Sequence, residues 1–245
     1  MTAPFNGAYV FPPHRVSVTD NLRAGNALSA ANQLLGVPVS LKQFEVLGAV
    51  AVAATNNILT ATAFAGAGSV APNAAPAGGS LIAGVATVDF PRNLQFVSSN
   101  AGDTTQTITI TGTDYYGAPM TQATALNGTT PVFTKKAFYT VSSIASSAAL
   151  VGNLTVGTGP ALGLSYALLT GSLVVGTKNV SGTISADAGT VVQPDATNPA
   201  TSATGDVRGT YSPAAAENAA TTTFYVEYQT LGGPLNSSAF GQTQA

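Results

Sequence analysis

The chain has 245 residues, eight basic and ten acidic side chains, and a net charge of −2. Only 7% of its residues are charged, against a usual share of roughly 25%, so a nucleic-acid footprint built on a basic stripe is excluded. There is no cysteine, which excludes disulfides, zinc–thiolate sites and a thiol nucleophile.

Residues 1–44 read as an extended N-terminal arm. Pro4, Pro12, Pro13 and Pro38 keep it extended, and Phe5, Tyr9, Val10 and Phe11 are its large apolar groups. Residues 21–35 carry Leu22, Leu28, Leu34 and Leu35 and suit a short helix that Gly25 weakens. Such an arm lies along another molecule or folds back on its own domain, and both readings stand. Met1-Thr2-Ala3-Pro4-Phe5-Asn6 lacks the charged start and apolar core of a signal peptide. The longest apolar run, residues 46–54, falls short of the ~20 residues that span a bilayer. The expectation is synthesis in a cytoplasm, with no membrane partner.

Residues 45–230 read as the folded domain. Residues 42–70 form a long strand or a broken pair, with Phe44, Val46, Val50 and Val52 on one face and a turn at Asn56-Asn57. Gly66, Gly68, Pro72, Pro76, Gly78 and Gly79 make 66–80 a loop. The strongest signal is at 105–111, where threonine alternates with Gln106, Ile108 and Ile110. Period two puts the isoleucines on one face of a strand and the threonines on the other. The polar loop at 98–103 predicts a hairpin between this strand and one at 94–97. Past a turn at Tyr115-Tyr116-Gly117, residues 132–141 predict one further strand. Residues 150–157, 165–178 and 181–192 continue the series, and 222–229 alternates with Phe224, Val226 and Tyr228 on one face. Many short strands separated by Gly/Pro turns predict an all-β, antiparallel β-sandwich, jelly-roll-like, followed by a C-terminal tail at 231–245.

The residues mark no catalytic site, no cofactor and no metal. His14, the only histidine, sits in the arm, a poor place for a base that must be held still. Asp103 and Asp114 are the candidates for a calcium ion, but without the spacing of a calcium loop; turn aspartates already bond nearby backbone. The chain is therefore not expected to be an enzyme. Asp206 and Arg208 share a strand face and read either as an ordinary strand-entry salt bridge or as charge registration at a subunit contact. Arg92 stands similarly beside Asp89. A neutral surface of Thr, Ser, Asn, Ala and Gly packs against neighbours at little desolvation cost, which favours an assembly component over a free monomer.

Phe-Pro-Arg-Asn-Leu at 90–94, Thr-Ile-Thr-Gly-Thr-Asp-Tyr-Tyr-Gly at 109–117 and Lys-Lys-Ala-Phe-Tyr-Thr-Val-Ser-Ser-Ile at 135–144 resemble a pattern in structural proteins of tailed bacteriophages. Thr-Gly-Asp-Val-Arg-Gly-Thr-Tyr-Ser-Pro at 204–213 resembles a second piece downstream in the same proteins. The resemblance implies a capsid cement or decoration protein, bound to the outer surface of the virion head across joints between capsomers. It implies the major capsid protein as partner, and self-association as a homodimer ahead of a homotrimer. The arm would then be the clamp, with Phe5, Tyr9 and Phe11 entering apolar pockets and Arg15 and Arg23 pairing with acidic groups. The alternative is a head or tail fibre module that binds host-surface carbohydrate through loop aromatics such as Tyr115 and Tyr116.

Overall fold

The computed structural model describes residues 40–195 and 205–231. Among the described residues there are fifteen strands and no helix. They are β1 (Ser40–Gly48), β2 (Ala54–Ala63), β3 (Gly68–Val70), β4 (Ser80–Ile82), β5 (Val85–Ser98), β6 (Thr107–Thr113), β7 (Pro119–Ala125), β8 (Val132–Phe133), β9 (Phe138–Ser146), β10 (Asn153–Gly163), β11 (Val175–Val180), β12 (Thr183–Asp187), β13 (Thr190–Val192), β14 (Thr210–Ser212) and β15 (Thr222–Leu231). They make an antiparallel β-sandwich of two packed sheets. The smaller runs β1-β15-β11-β12. The larger runs β13-β14-β10-β5-β9-β6-β7, with β2 added on β10, β3 on β9, and β4 and β8 on β5.

Alternation places the side chains as the sequence predicts. Ile108 and Ile110 are fully buried while Thr107, Thr109, Thr111 and Thr113 are half-buried on the other face of β6. Phe224, Val226 and Tyr228 are likewise buried along β15. Two apolar clusters result. One is enclosed by the large sheet and includes Leu59, Phe96, Ile110, Phe138, Ile144 and Val156. In it Val156 of β10 is paired with Phe96 of β5 on one side and Leu59 of β2 on the other. The second joins the two sheets through Leu47, Leu162, Leu168, Tyr211, Phe224 and Tyr228.

Neighbours and breaks differ from the prediction in several places: 165–178 is a strand only from Val175, 181–192 holds two strands, β12 and β13, and the 66–80 loop contains β3. The hairpin between β5 and β6 does not form: β9 lies between them and pairs with both. Alternation specifies a face but not which strand satisfies the backbone. Asn56 and Asn57 lie inside β2 rather than at a turn. Asn57 Oδ1 accepts the Thr158 N–H at 2.9 Å and its Nδ2 donates to Thr158 Oγ1 at 3.0 Å, so the amide bridges an irregular stretch of the β2–β10 ladder. The real break is at Gly48, whose φ of +83° ends β1, and β1 and β2 go to different sheets. Val50 is therefore buried while Phe44 and Val46 face out. Residues 132–141 are two strands, because side chains replace the ladder between them. Thr134 Oγ1 accepts the Leu94 N–H at 2.8 Å, and Gln122 Oε1 accepts the N–H groups of Lys135 and Lys136, each at 2.9 Å. Finally, β1 begins at Ser40, so residues 40–44 belong to the sheet rather than to the arm.

Candidate functional site

The turn that joins β6 to β7 is built by one carboxylate. Asp114 Oδ1 accepts the N–H groups of Tyr116 at 2.9 Å and Ala118 at 2.8 Å. Gly117, at φ +83°, closes the turn by donating its N–H to the Asp114 carbonyl at 3.1 Å. The other oxygen, Oδ2, takes Arg208 Nη2 at 2.5 Å, and both side chains are buried. Arg208 Nη1 has no hydrogen-bond partner, but the guanidinium carbon lies 5.2 Å from the centre of the Tyr116 ring. A cation over an aromatic face partly replaces a lost hydrogen bond.

This corrects the surface role expected of Asp206 and Arg208, which are 3% and 2% exposed. Both side chains are used internally. Asp206 Oδ1 accepts the Arg208 N–H at 2.9 Å and Oδ2 accepts the Ala137 N–H at 3.0 Å. Lys136, also buried, donates from Nζ to the Thr121 carbonyl at 2.8 Å. Burial lowers the pKa of that amine, opposed by the charges of Asp206 and Asp195. Residues 109–144 and 204–213 thus meet at one buried node, through Arg208–Asp114 and Asp206–Ala137.

Glu45, on the inner face of β1, adds a third acid to this region. Tyr228 Oη donates to Glu45 Oε2 at 2.5 Å, and the Ser165 N–H donates to Oε1 at 3.0 Å. Burial pushes the Glu45 carboxyl above its usual value, although the hydrogen bonds from Tyr228 and Ser165 and the charge of Arg208 pull the other way. Tyr228 is pushed up in turn, by burial and by Glu45. The sequence held a trace of this inversion. Along β1, Phe44 and Val46 share one face while Glu45 sits on the face of Leu47.

Above the node stands a cluster of tyrosines. Tyr115 and Tyr116 are 46% and 41% exposed. Their rings meet edge to face, with centroids 5.1 Å apart, and Tyr115 meets Tyr139 of β9 at 6.0 Å and 62°. Tyr116 Oη donates to the Ser165 carbonyl at 2.8 Å. Burial and the neighbouring Tyr166 push its phenol up to about 12, so it is neutral at physiological pH. The hydroxyls of Thr113 on β6 and Thr140 on β9 bond each other at 2.8 Å.

Arg92 stands beside Asp89 as expected, at 3.1 Å, but the guanidinium is wholly buried rather than at a surface. It donates to the Ala51 carbonyl at 3.0 Å and lies 3.6 Å from Glu217. Asp89 and Glu217 accept the N–H groups of Ala51 and Ala53 at 2.7 and 2.6 Å. The cluster therefore ties the β1–β2 connection to β5. Asp103, weighed above as a calcium ligand, is fully buried and accepts from Ser98 Oγ at 2.5 Å and from the N–H groups of Val151 and Gly152, each at 2.9 Å. Among the described residues no group of three or more acidic or histidine side chains is placed to hold a metal ion.

The outer face of the smaller sheet carries large apolar side chains that no other described residue covers. Phe44 (58% exposed) and Val46 on β1, Val175 on β11 and Ile184 (71%) on β12 lie on it. Phe44 stacks on the half-buried Tyr225 of β15 at 5.8 Å. Glu227 of β15 lies between Phe44 and Val175 on this face and forms a salt bridge with Lys42 of β1. Ser40 and Leu231 are paired across β1 and β15, so the chain enters and leaves this sheet at the same end. Phe5, Tyr9, Phe11, Arg15 and Arg23, with His14, lie outside the described residues. No family model, curated protein or solved structure matches this chain.

Proposed function

We propose that the chain is a structural virion protein, a capsid cement or decoration protein that binds the outside of a phage head and holds neighbouring capsomers together. The observation that carries this reading is the outer face of the smaller sheet, which no other described residue covers, with Phe44, Val46, Val175, Ile184 and Tyr225 upon it. An exposed apolar face with few charges suits a permanent neighbour better than solvent. The major capsid protein is the partner proposed for it. Residues 1–39 would extend the contact from the same sheet, with Phe5, Tyr9 and Phe11 as anchors. The resemblance at 90–144 and 204–213 supports the class of assembly, and the low charge of the chain agrees with it.

The test is attachment to shells of the encoding phage that lack this protein. The full chain should bind in hundreds of copies per particle, counted by quantitative mass spectrometry. A chain without residues 2–39 should keep the same melting profile and bind at much lower occupancy. A few copies per particle, or none, would overturn the proposal.

A further inference from the structure

We infer that the Tyr115–Tyr116–Tyr139 cluster is a binding site for a neutral carbohydrate chain, independent of shell attachment. The Tyr115 ring meets those of Tyr116 and Tyr139 at steep angles, and Tyr115 and Tyr116 are almost half exposed, which makes an angled aromatic surface. The π face of a tyrosine is electron-rich and attracts weakly positive C–H edges, which a pyranose ring presents on its flatter side. The surface is also held in advance of any ligand. Asp114 fixes the turn through two backbone N–H groups, Arg208 supports the Tyr116 ring, and Ser165 holds its hydroxyl. Rigid anchors lose little freedom on binding.

The charge pattern selects the ligand class. The cation at this site, Arg208, is buried and neutralised by Asp114, so it cannot serve as a phosphate clamp, which disfavours nucleotides and nucleic acid. What the rings themselves offer is aromatic area and phenol oxygen, with the Tyr116 hydroxyl held by the Ser165 carbonyl. Aromatic area with phenol oxygens and no available cation is complementary to a sugar, which offers both C–H and O–H.

The experiment uses the full chain and three probes, maltoheptaose, cellohexaose and N-acetylchitohexaose. Binding is read by saturation-transfer NMR and by tyrosine emission, which is clean because the chain has no tryptophan. At least one probe should bind, with saturation strongest on ring C–H protons. Tyr115→Ala should weaken it about tenfold, equivalent to ~1.4 kcal/mol, and Tyr115→Phe should change it by less than about threefold, since the ring carries the contact. Tyr115→Leu keeps apolar bulk without a π face and should behave like the alanine variant, giving a second reading if that variant folds poorly. Binding of none of the probes overturns the inference, as does equal binding by Tyr115→Ala or Tyr115→Leu. A synthetic peptide of residues 5–15 is the control for a proline-rich ligand. If it binds in a Tyr115-dependent way and the sugars do not, the site reads peptides. A protein that coats shells yet binds no sugar removes this inference alone.

Discussion

Arg208 and Asp114 are 94 residues apart in the chain, yet their charged atoms lie 2.5 Å apart in the interior. Asp114 spends its first oxygen on the turn and its second on the arginine, so one side chain sets both the local and the long-range geometry. A buried pair gains little over an apolar replacement, but breaking it leaves one charge stranded. Arg208→Ala should therefore cost roughly 3–5 kcal/mol in urea unfolding. Asp114→Asn with Arg208→Met should cost less than the sum of the single changes, since neither charge is then left alone. Additive losses would show that the two groups do not act as a pair.

Close packing of β10 makes a sharper contrast. A Cβ on Gly157 would strike the Ala54 carbonyl of β2, whereas one on Gly66 meets nothing within 4 Å. Gly157→Ala should lose about 1–3 kcal/mol from overpacking. Gly66→Ala should change stability by less than about 0.5 kcal/mol. Equal thermal midpoints for the two variants would contradict the β2–β10 pairing.

The pH dependence has a definite sign. Burial raises the Glu45 carboxyl above its ordinary value of 4.5 and raises Glu217 in the same way, with Arg92 opposing. A carboxyl raised on folding contributes stability that is full below its unfolded value and is lost as pH rises through the folded value. The melting temperature should thus fall from pH 4.5 into the neutral range. Glu45→Gln, which still accepts from Tyr228, should flatten that fall. Asp103 acts in the opposite sense: burial works against its charge, but Ser98 and two backbone N–H groups outweigh it and lower its pKa. Its contribution is present above the ordinary value of 3.8 and is lost as pH falls below that. A Glu45→Gln melting profile as steep as the wild type would refute the assignment.

Substitutions on the outer sheet face should separate attachment from folding. Ile184→Asp should change stability by no more than about 0.5 kcal/mol, as at most exposed positions. Phe44→Asp loses its stack on Tyr225, worth roughly 0.5–1.5 kcal/mol. The double variant should fold and yet leave shells nearly bare in a sedimentation assay. Full occupancy by this variant would move the contact elsewhere on the molecule.

Faces were legible in the sequence. The alternation at 105–111 and 222–228 placed Ile108, Ile110, Phe224, Val226 and Tyr228 correctly, because strand period is a local property of the backbone and hydrophobic burial reads it directly. The same residues could not say that β9 would separate β5 from β6, since every strand offers the same donors and acceptors and its neighbour is chosen by how whole faces fit together. Charged residues show the division most clearly. Asp114 was read as a turn residue and is one; that role needs only its own next four residues. Its pairing with Arg208, the burial of Asp206 and the inward position of Glu45 were decided by the tertiary structure alone. A charge takes the interior only where a distant partner meets it, and the partner's distance in sequence carries no energy. The tyrosines follow the same rule: the turn that exposes Tyr115 and Tyr116 was written locally, and the fold brought Tyr139 and Arg208 against them.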